Sequence, residues 1–260
     1  MKIYIVTDME GVSGLCKMEE VQRERPEYQP ARHLLCGDVN AAIAGAFDGG
    51  ATEVIVNDGH GGGFNLILEE MDTRAVYERP NGGLDMLPAL DDSFAAVFCV
   101  GYHAMAGTLN GFLDHTQSSA SWFEFSVNGR PTGELGQIGL LAGHYGLPVT
   151  LVAGDQAACD EGREFFGEIE TAAVKQGIGR QHARCLHPEK GRALIRAAAT
   201  RAVALTDKIS PYSTELPATV RLTYYRSDMA DGPAQRPGTR RINARTLERT
   251  VEDLRCLLGF

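Results

Sequence analysis

The chain has no Cys-x-x-Cys pair, no apolar run of membrane-spanning length and no excess of basic residues. Each absence removes a class of protein. Six cysteines (Cys16, Cys36, Cys99, Cys159, Cys185, Cys256) scattered over 260 residues offer neither a zinc knuckle nor a disulfide framework, and they predict reduced thiols. A net charge of -9 argues against a nucleic-acid partner, which calls for a basic field. The apolar stretch after Met1-Lys2 is too short for a secretory signal, and no membrane partner is expected. The cytoplasm is the expected compartment. No 20–50-residue repeat and no low-complexity block occurs, and "GHGGGFN" lacks the spacing of a dinucleotide-binding glycine loop.

What is present is alternation. Short β-branched runs at Ile3 to Thr7, Glu53 to Val56, "RAVYERP" (ended by Pro80), "AAVFCVGY" and "PVTLVAGD" are separated by segments of helical periodicity. Leu35, Val39, Ala42, Ile43, Ala46 and Phe47 form one such face, stopped by Gly49-Gly50; a second helix is expected from Glu134. This pattern predicts an α/β fold, a mainly parallel sheet flanked by helices, with a smaller α+β C-terminal part. "WFEFSVNGRP" alternates like an antiparallel strand running into an Asn128-Gly129 turn. Beyond about residue 160 the texture changes. "AAVKQGIGRQHARCLHP" is basic and glycine-containing, "EKGRALIRAAATRAVALTDKI" reads as a helix, "PATVRLTYYRSDMADG" as a strand, and "TLERTVEDLRCLLGF" as a terminal helix. The expected division is 1–160 for a metal-binding α/β domain and 161–260 for a smaller C-terminal one.

In open α/β sheets ligands bind beyond the carboxyl ends of the strands. Asp8 and Glu10 follow the first strand, His60 the second, and His103 the "FCVGYH" strand. Residues i and i+2 of an extended segment share a face, so Asp8 and Glu10 point the same way. Taken singly, each has an ordinary reading: a cap, a loop histidine, a hydrogen-bonded core imidazole. Their conjunction at three strand ends points to a divalent cation, because crowded carboxylates repel and imidazole with carboxylate suits zinc, manganese or iron. His115 in "GFLDHTQ" and Glu134 in "RPTGELG" are further candidates. Asp58, Asp155, His33, His144, His182 and His187 are read as ordinary.

Together, "VTDMEGVSG", "EVIVNDGH", "GYHAMAG", "LDHT", "GRPTGELG", "VAGD" and "AAVKQ" resemble, in order, the zinc-dependent D-aminopeptidases of the M55 peptidase family. The likeness runs from Met1 through about Ile209. It implies two zinc ions per subunit, with manganese or another divalent ion as substitute, held by Asp8, Glu10, His60, His103 and Glu134, with Asp8 as the bridge. It implies a catalytic role for His115, acting as general acid/base on the departing amine or as a nucleophile. It further implies a small peptide substrate with a D-residue and a ring-shaped homo-oligomer, a decamer being one candidate size. Gly61 to Gly63 and "MAGTLNGFLDH" are expected to line the substrate pocket. Two rival readings remain. Asp8-x-Glu10 partly resembles the D-x-D-x-T/V loop of haloacid-dehalogenase-like phosphatases, which would need magnesium, although Glu10 stands where that loop has Asp. A non-catalytic metal- or peptide-binding ring would keep the ligands and dispense with His115.

Overall fold

The computed structural model describes residues 1–78 and 86–260, so the expected strand end at Pro80 lies outside the described residues. In chain order the first half contains β1 (Lys2–Thr7), α1 (Tyr28–Asp48), β2 (Glu53–Asp58), β3 (Val76–Glu78), β4 (Ala96–Tyr102), β5 (Trp122–Val127), β6 (Arg130–Pro131) and α2 (Glu134–His144). The second half contains β7 (Val149–Asp155), α3 (Gln156–Phe166), β8 (Glu170–Gly179), β9 (His182–Cys185), α4 (Pro188–Val203), β10 (Ala218–Tyr224), β11 (Thr239–Arg241) and β12 (Thr246–Val251).

Among the described residues, seven strands form the large sheet in the order β3-β2-β1-β4-β7-β8-β9, parallel except for the β8–β9 hairpin. The mainly parallel, helix-flanked sheet expected from the sequence is therefore present. Alternation along β1 sorts its side chains between two cores. Ile3 and Ile5 pack with α1 and α4, while Tyr4 and Val6 pack with the apolar faces of α2 and α3. A second, antiparallel sheet runs β11-β12-β10-β5-β6. Helix α2 lies between the sheets: Leu135, Ile138 and Leu141 belong to the large-sheet core and Leu140 to that of the antiparallel sheet. A helix buried on both sides has little use for polar residues, which explains the run "LGQIGLLAG". Among the described residues no helix is long and apolar enough to cross a membrane.

One expectation changes. The segment 246–260 is not a helix; residues 246–251 pair antiparallel with β10, followed by a short 3-10 turn at Leu254–Cys256. Leu247 and Val251 are four apart, a spacing that serves a helix face and, as an even number, one face of a strand equally well. The basic segment after residue 166 becomes β8 and β9 and extends the large sheet. Residue 160, where the sequence suggests a division, lies within α3.

The chain builds β1 to β3 outward, then returns to lay β4 on the other side of β1. That reversal between β1 and β4 is the point where an open parallel sheet forms its crevice. The two strand exits are in close contact there. Asp8 N donates to the Val100 carbonyl at 2.9 Å and Gly11 N to the Gly101 carbonyl at 2.7 Å. Gly101 has φ +82°, and a Cβ on it would lie 2.1 Å from the Asp8 carbonyl oxygen. Only glycine fits this approach.

Candidate metal centre

The crevice gathers all six candidate residues. Asp8 and Glu10 leave β1, His60 opens the turn after β2, His103 follows β4, His115 ends the loop that continues from it, and Glu134 begins α2. His60 Nδ1 lies 2.9 Å from Asp8 Oδ1 and 3.2 Å from Glu10 Oε2. His103 Nε2 lies 3.2 Å from Asp8 Oδ2 and 3.5 Å from Glu134 Oε1. His115 Nε2 is 3.7 Å from Glu134 Oε1, and its ring stacks on His103 with centroids 4.0 Å apart. Asp8 therefore turns one oxygen to each of two histidines, the posture a bridging carboxylate requires.

Each imidazole is fixed from behind by a main-chain carbonyl. His60 Nε2 contacts Val21 O at 3.0 Å, His103 Nδ1 contacts Ala104 O at 2.9 Å, and His115 Nδ1 contacts Leu113 O at 2.8 Å. A carbonyl only accepts, so each of these nitrogens carries the hydrogen. The opposite nitrogen of each ring is then left as a lone pair facing carboxylates, unless a proton or a cation intervenes. Anchoring one ring nitrogen and presenting the other is how proteins orient metal-ligating histidines.

Charge follows from the same geometry. Burial and the neighbouring Glu10 raise the Asp8 pKa. Burial works to raise Glu10 as well, but His60 and His103 outweigh it and hold this carboxylate well below its usual range. Burial works against charge on His60 and His103 too, yet Glu10 facing the first and Glu134 facing the second, each with Asp8, lift both well above the normal imidazole range.

The donor set fits a divalent ion. Asp8 Oδ2, Glu10 Oε2 and His103 Nε2 are buried without a hydrogen-bond partner. They approach one another without hydrogen-bond alignment, as atoms do that converge on a common point. Among the described residues, two triads have ligand atoms within 4.8 Å of one another: Asp8, Glu10 and His103, and His103, His115 and Glu134. The second includes His115, so its geometry also suits a ligand. A magnesium phosphatase is not favoured, because Asp8 is flanked by two imidazoles where that chemistry calls for oxygen donors.

Five residues that the sequence reading took as ordinary or did not single out hold the loops of the candidate ligands. Asp58 is fully buried and accepts from Asn65 N, Asn65 Nδ2 and Leu66 N at 2.7, 2.6 and 3.0 Å. Asn65 Nδ2 in turn donates to the His60 carbonyl at 2.6 Å, which braces the His60 turn. Asp155 accepts from Phe112 N and Gly177 N, both at 3.0 Å, and so ties the His115 loop to β8. Buried Lys175 donates to the carbonyls of Glu10 and Leu15 at 2.7 and 2.8 Å. Glu161 accepts from Met105 N at 2.7 Å, and burial pushes its pKa up to about 7. Asp58 and Asp155 did have a signal, an acid at the end of a strand; Lys175 had only a charge inside an apolar run.

A cavity of about 700 Å³ opens over the cluster. Its polar floor is the six residues less His103, and Met18, Val21, Met86, Trp122, Leu258 and Phe260 form an apolar wall. Of the expected Gly61 to Gly63, Gly61 and Gly62 line it, both with φ in the left-handed region, and Gly63 does not. Of "MAGTLNGFLDH" only His115 lines it; Phe112 and Leu113 are in the core below.

Comparison with known proteins gives a consistent result. The family model for Peptidase M55, D-aminopeptidase, matches residues 1–260. A D-aminopeptidase of Bacillus subtilis (strain 168) is 35% identical over 240 residues, covering 92% of this chain and 87% of that one. The solved structure of the Zn-dependent D-aminopeptidase DppA from Bacillus subtilis, described as a self-compartmentalizing protease, superposes with a TM-score of 0.96 at 33% identity. That match covers 100% of this chain and 94% of the other.

Proposed function

We propose, because this chain belongs to the M55 D-aminopeptidase family, that it is a zinc-dependent aminopeptidase removing an N-terminal D-residue from short peptides or amides. The observation that carries the reading is the anchoring of His60, His103 and His115 on main-chain carbonyls, with their free nitrogens aimed at Asp8, Glu10 and Glu134. Asp8, Glu10, His60, His103 and Glu134 are the residues that would hold the zinc, two ions per subunit being the expected number. Bound zinc supplies Lewis acidity toward the scissile carbonyl and lowers the pKa of water toward neutrality.

The remaining work belongs to side chains. His115 presents Nε2 to the cavity while Nδ1 stays bound to Leu113 O. It therefore exchanges a proton at one defined atom, delivering it to the departing amine. Glu134, fixed by the Gln117 main-chain N–H at 2.7 Å, faces that nitrogen at 3.7 Å. The apolar wall excludes water from the other side and receives the substrate's aliphatic parts.

The chain assembles as a ring-shaped homo-oligomer, for which a decamer is the size to test by mass photometry. The related DppA is a self-compartmentalizing protease, and the loop between His103 and His115 carries Leu109 at 87% exposure, an apolar side chain suited to a subunit contact. Six free cysteines support a cytoplasmic location. The test is metal removal: protein dialysed against EDTA loses hydrolysis of D-Ala-D-Ala and D-alanine amide, and added zinc restores it. Full activity in metal-free protein, or equal turnover of the L-enantiomers, overturns the reading.

A further inference from the structure

Cys16 and Cys185 stand 169 positions apart in the chain, yet their Sγ atoms are 3.1 Å from each other. Cys16 sits on the loop between β1 and α1 that carries Asp8 and Glu10; Cys185 ends β9 at the edge of the large sheet. Both are free and partly exposed, and Cys185 Sγ donates to the Leu15 carbonyl at 3.3 Å. Neither has a part in the hydrolytic site. We propose that Cys16 and Cys185 are a disulfide-forming pair, a reversible covalent modification site that ties the ligand-bearing loop to the sheet edge.

The geometry asks for little movement. Bonded sulfurs sit about 2.05 Å apart, so closure needs travel on the order of 1 Å. That travel stays local, because two anchors stand between Cys16 and Glu10. Ser13 N and Oγ are bound to Asp38 at 2.7 and 2.6 Å, and Lys175 Nζ grips the Glu10 and Leu15 carbonyls at 2.7 and 2.8 Å. The bond therefore clamps the loop without shifting the carboxylates. Cys36, Cys99 and Cys159 are buried and Cys256 is exposed, so exposure alone would favour Cys256; proximity favours the pair.

The oxidant is a small-molecule disulfide of the glutathione class. The Cys16 thiolate attacks one of its sulfurs, breaking that S–S bond and releasing one thiol, to leave a mixed disulfide. Cys185, whose sulfur lies 3.1 Å from that of Cys16, reacts second. It gives its proton to solvent, attacks the Cys16 sulfur and expels the second small thiol. Two cysteine thiols lose two electrons and two protons, and the reagent gains them as two thiols.

The purified oligomer, incubated with glutathione disulfide, then alkylated and peptide-mapped, should show a Cys16–Cys185 cross-link lighter by two hydrogens. Closing so long a loop should raise Tm by roughly 5 °C or more. Dithiothreitol should reverse the shift, and peptidase activity should stay unchanged. Cys185→Ser, which keeps a donor for the Leu15 carbonyl, should match the reduced protein's Tm and show no oxidant-induced rise. Glutathione retained on Cys16, free alkylation of both thiols after oxidation, or a cross-link mapped to other cysteines would overturn the proposal.

Discussion

The parallel and antiparallel sheets meet at one cavity and contribute to it in opposite ways. Asp8, Glu10, His60 and His103 come from the exits of β1, β2 and β4, neighbours in the parallel sheet. The antiparallel side sends Trp122 from β5 and, beyond β12, Leu258 and Phe260, all apolar. Parallel strands leave at one edge, so polar residues at their ends converge whatever their separation in the chain. Antiparallel strands exit at alternating edges; their side chains reach the cavity only as a face. Chemistry is thus concentrated on one sheet and shape on the other.

The largest effect should come from breaking the parallel side. His103→Ala removes a donor shared by both triads, and we expect loss of bound zinc with a fall in kcat/KM of at least about 10⁴, since the Lewis acid goes with it. Retained zinc by metal analysis would put the cation elsewhere. His115→Ala should keep bound metal and lower kcat by about 10²–10⁴, the usual contribution of a positioned acid/base. If zinc content halves instead, His115 is a ligand, as its place in the second triad allows.

Two smaller effects sharpen the contrast. His60 and His103 in the metal-free protein hold protons more tightly than ordinary imidazoles because of the carboxylates facing them. A cation must displace those protons, so zinc affinity should fall as pH drops, by about tenfold per pH unit for each proton displaced. Calorimetry in buffers of different ionisation enthalpy reads the proton count, and a count of zero would contradict the site. On the antiparallel side Phe260→Ala should raise KM for a substrate with a bulky apolar residue by roughly tenfold, the scale of one lost hydrophobic contact, and leave kcat alone. An equal change for D-Ala-D-Ala would show that Phe260 supports the fold more than the substrate.

Much of this was legible beforehand, and the failures have a common cause. The strands at Lys2–Thr7, Ala96–Tyr102 and Val149–Asp155 are nearly continuous apolar runs, buried on both faces, and no helix competes for so short a pattern. The C-terminal segment misled because Leu247 and Val251 satisfy two periods at once, and only the pairing with β10 decides between them. Asp58 and Lys175 were missed because their partners, the Asn65 amides and the Glu10 and Leu15 carbonyls, are supplied by other segments.

The amino-acid order by itself determined the alternation of strand and helix, the polar residues at the strand ends and the glycines that let loops touch, because these depend on neighbours within a few positions. Tertiary structure alone decided which strand exits stand side by side, which nitrogen of each histidine faces the carboxylates, and that Cys16 meets Cys185. Those are properties of pairs brought together by packing, and no local pattern in the chain encodes the distance between them.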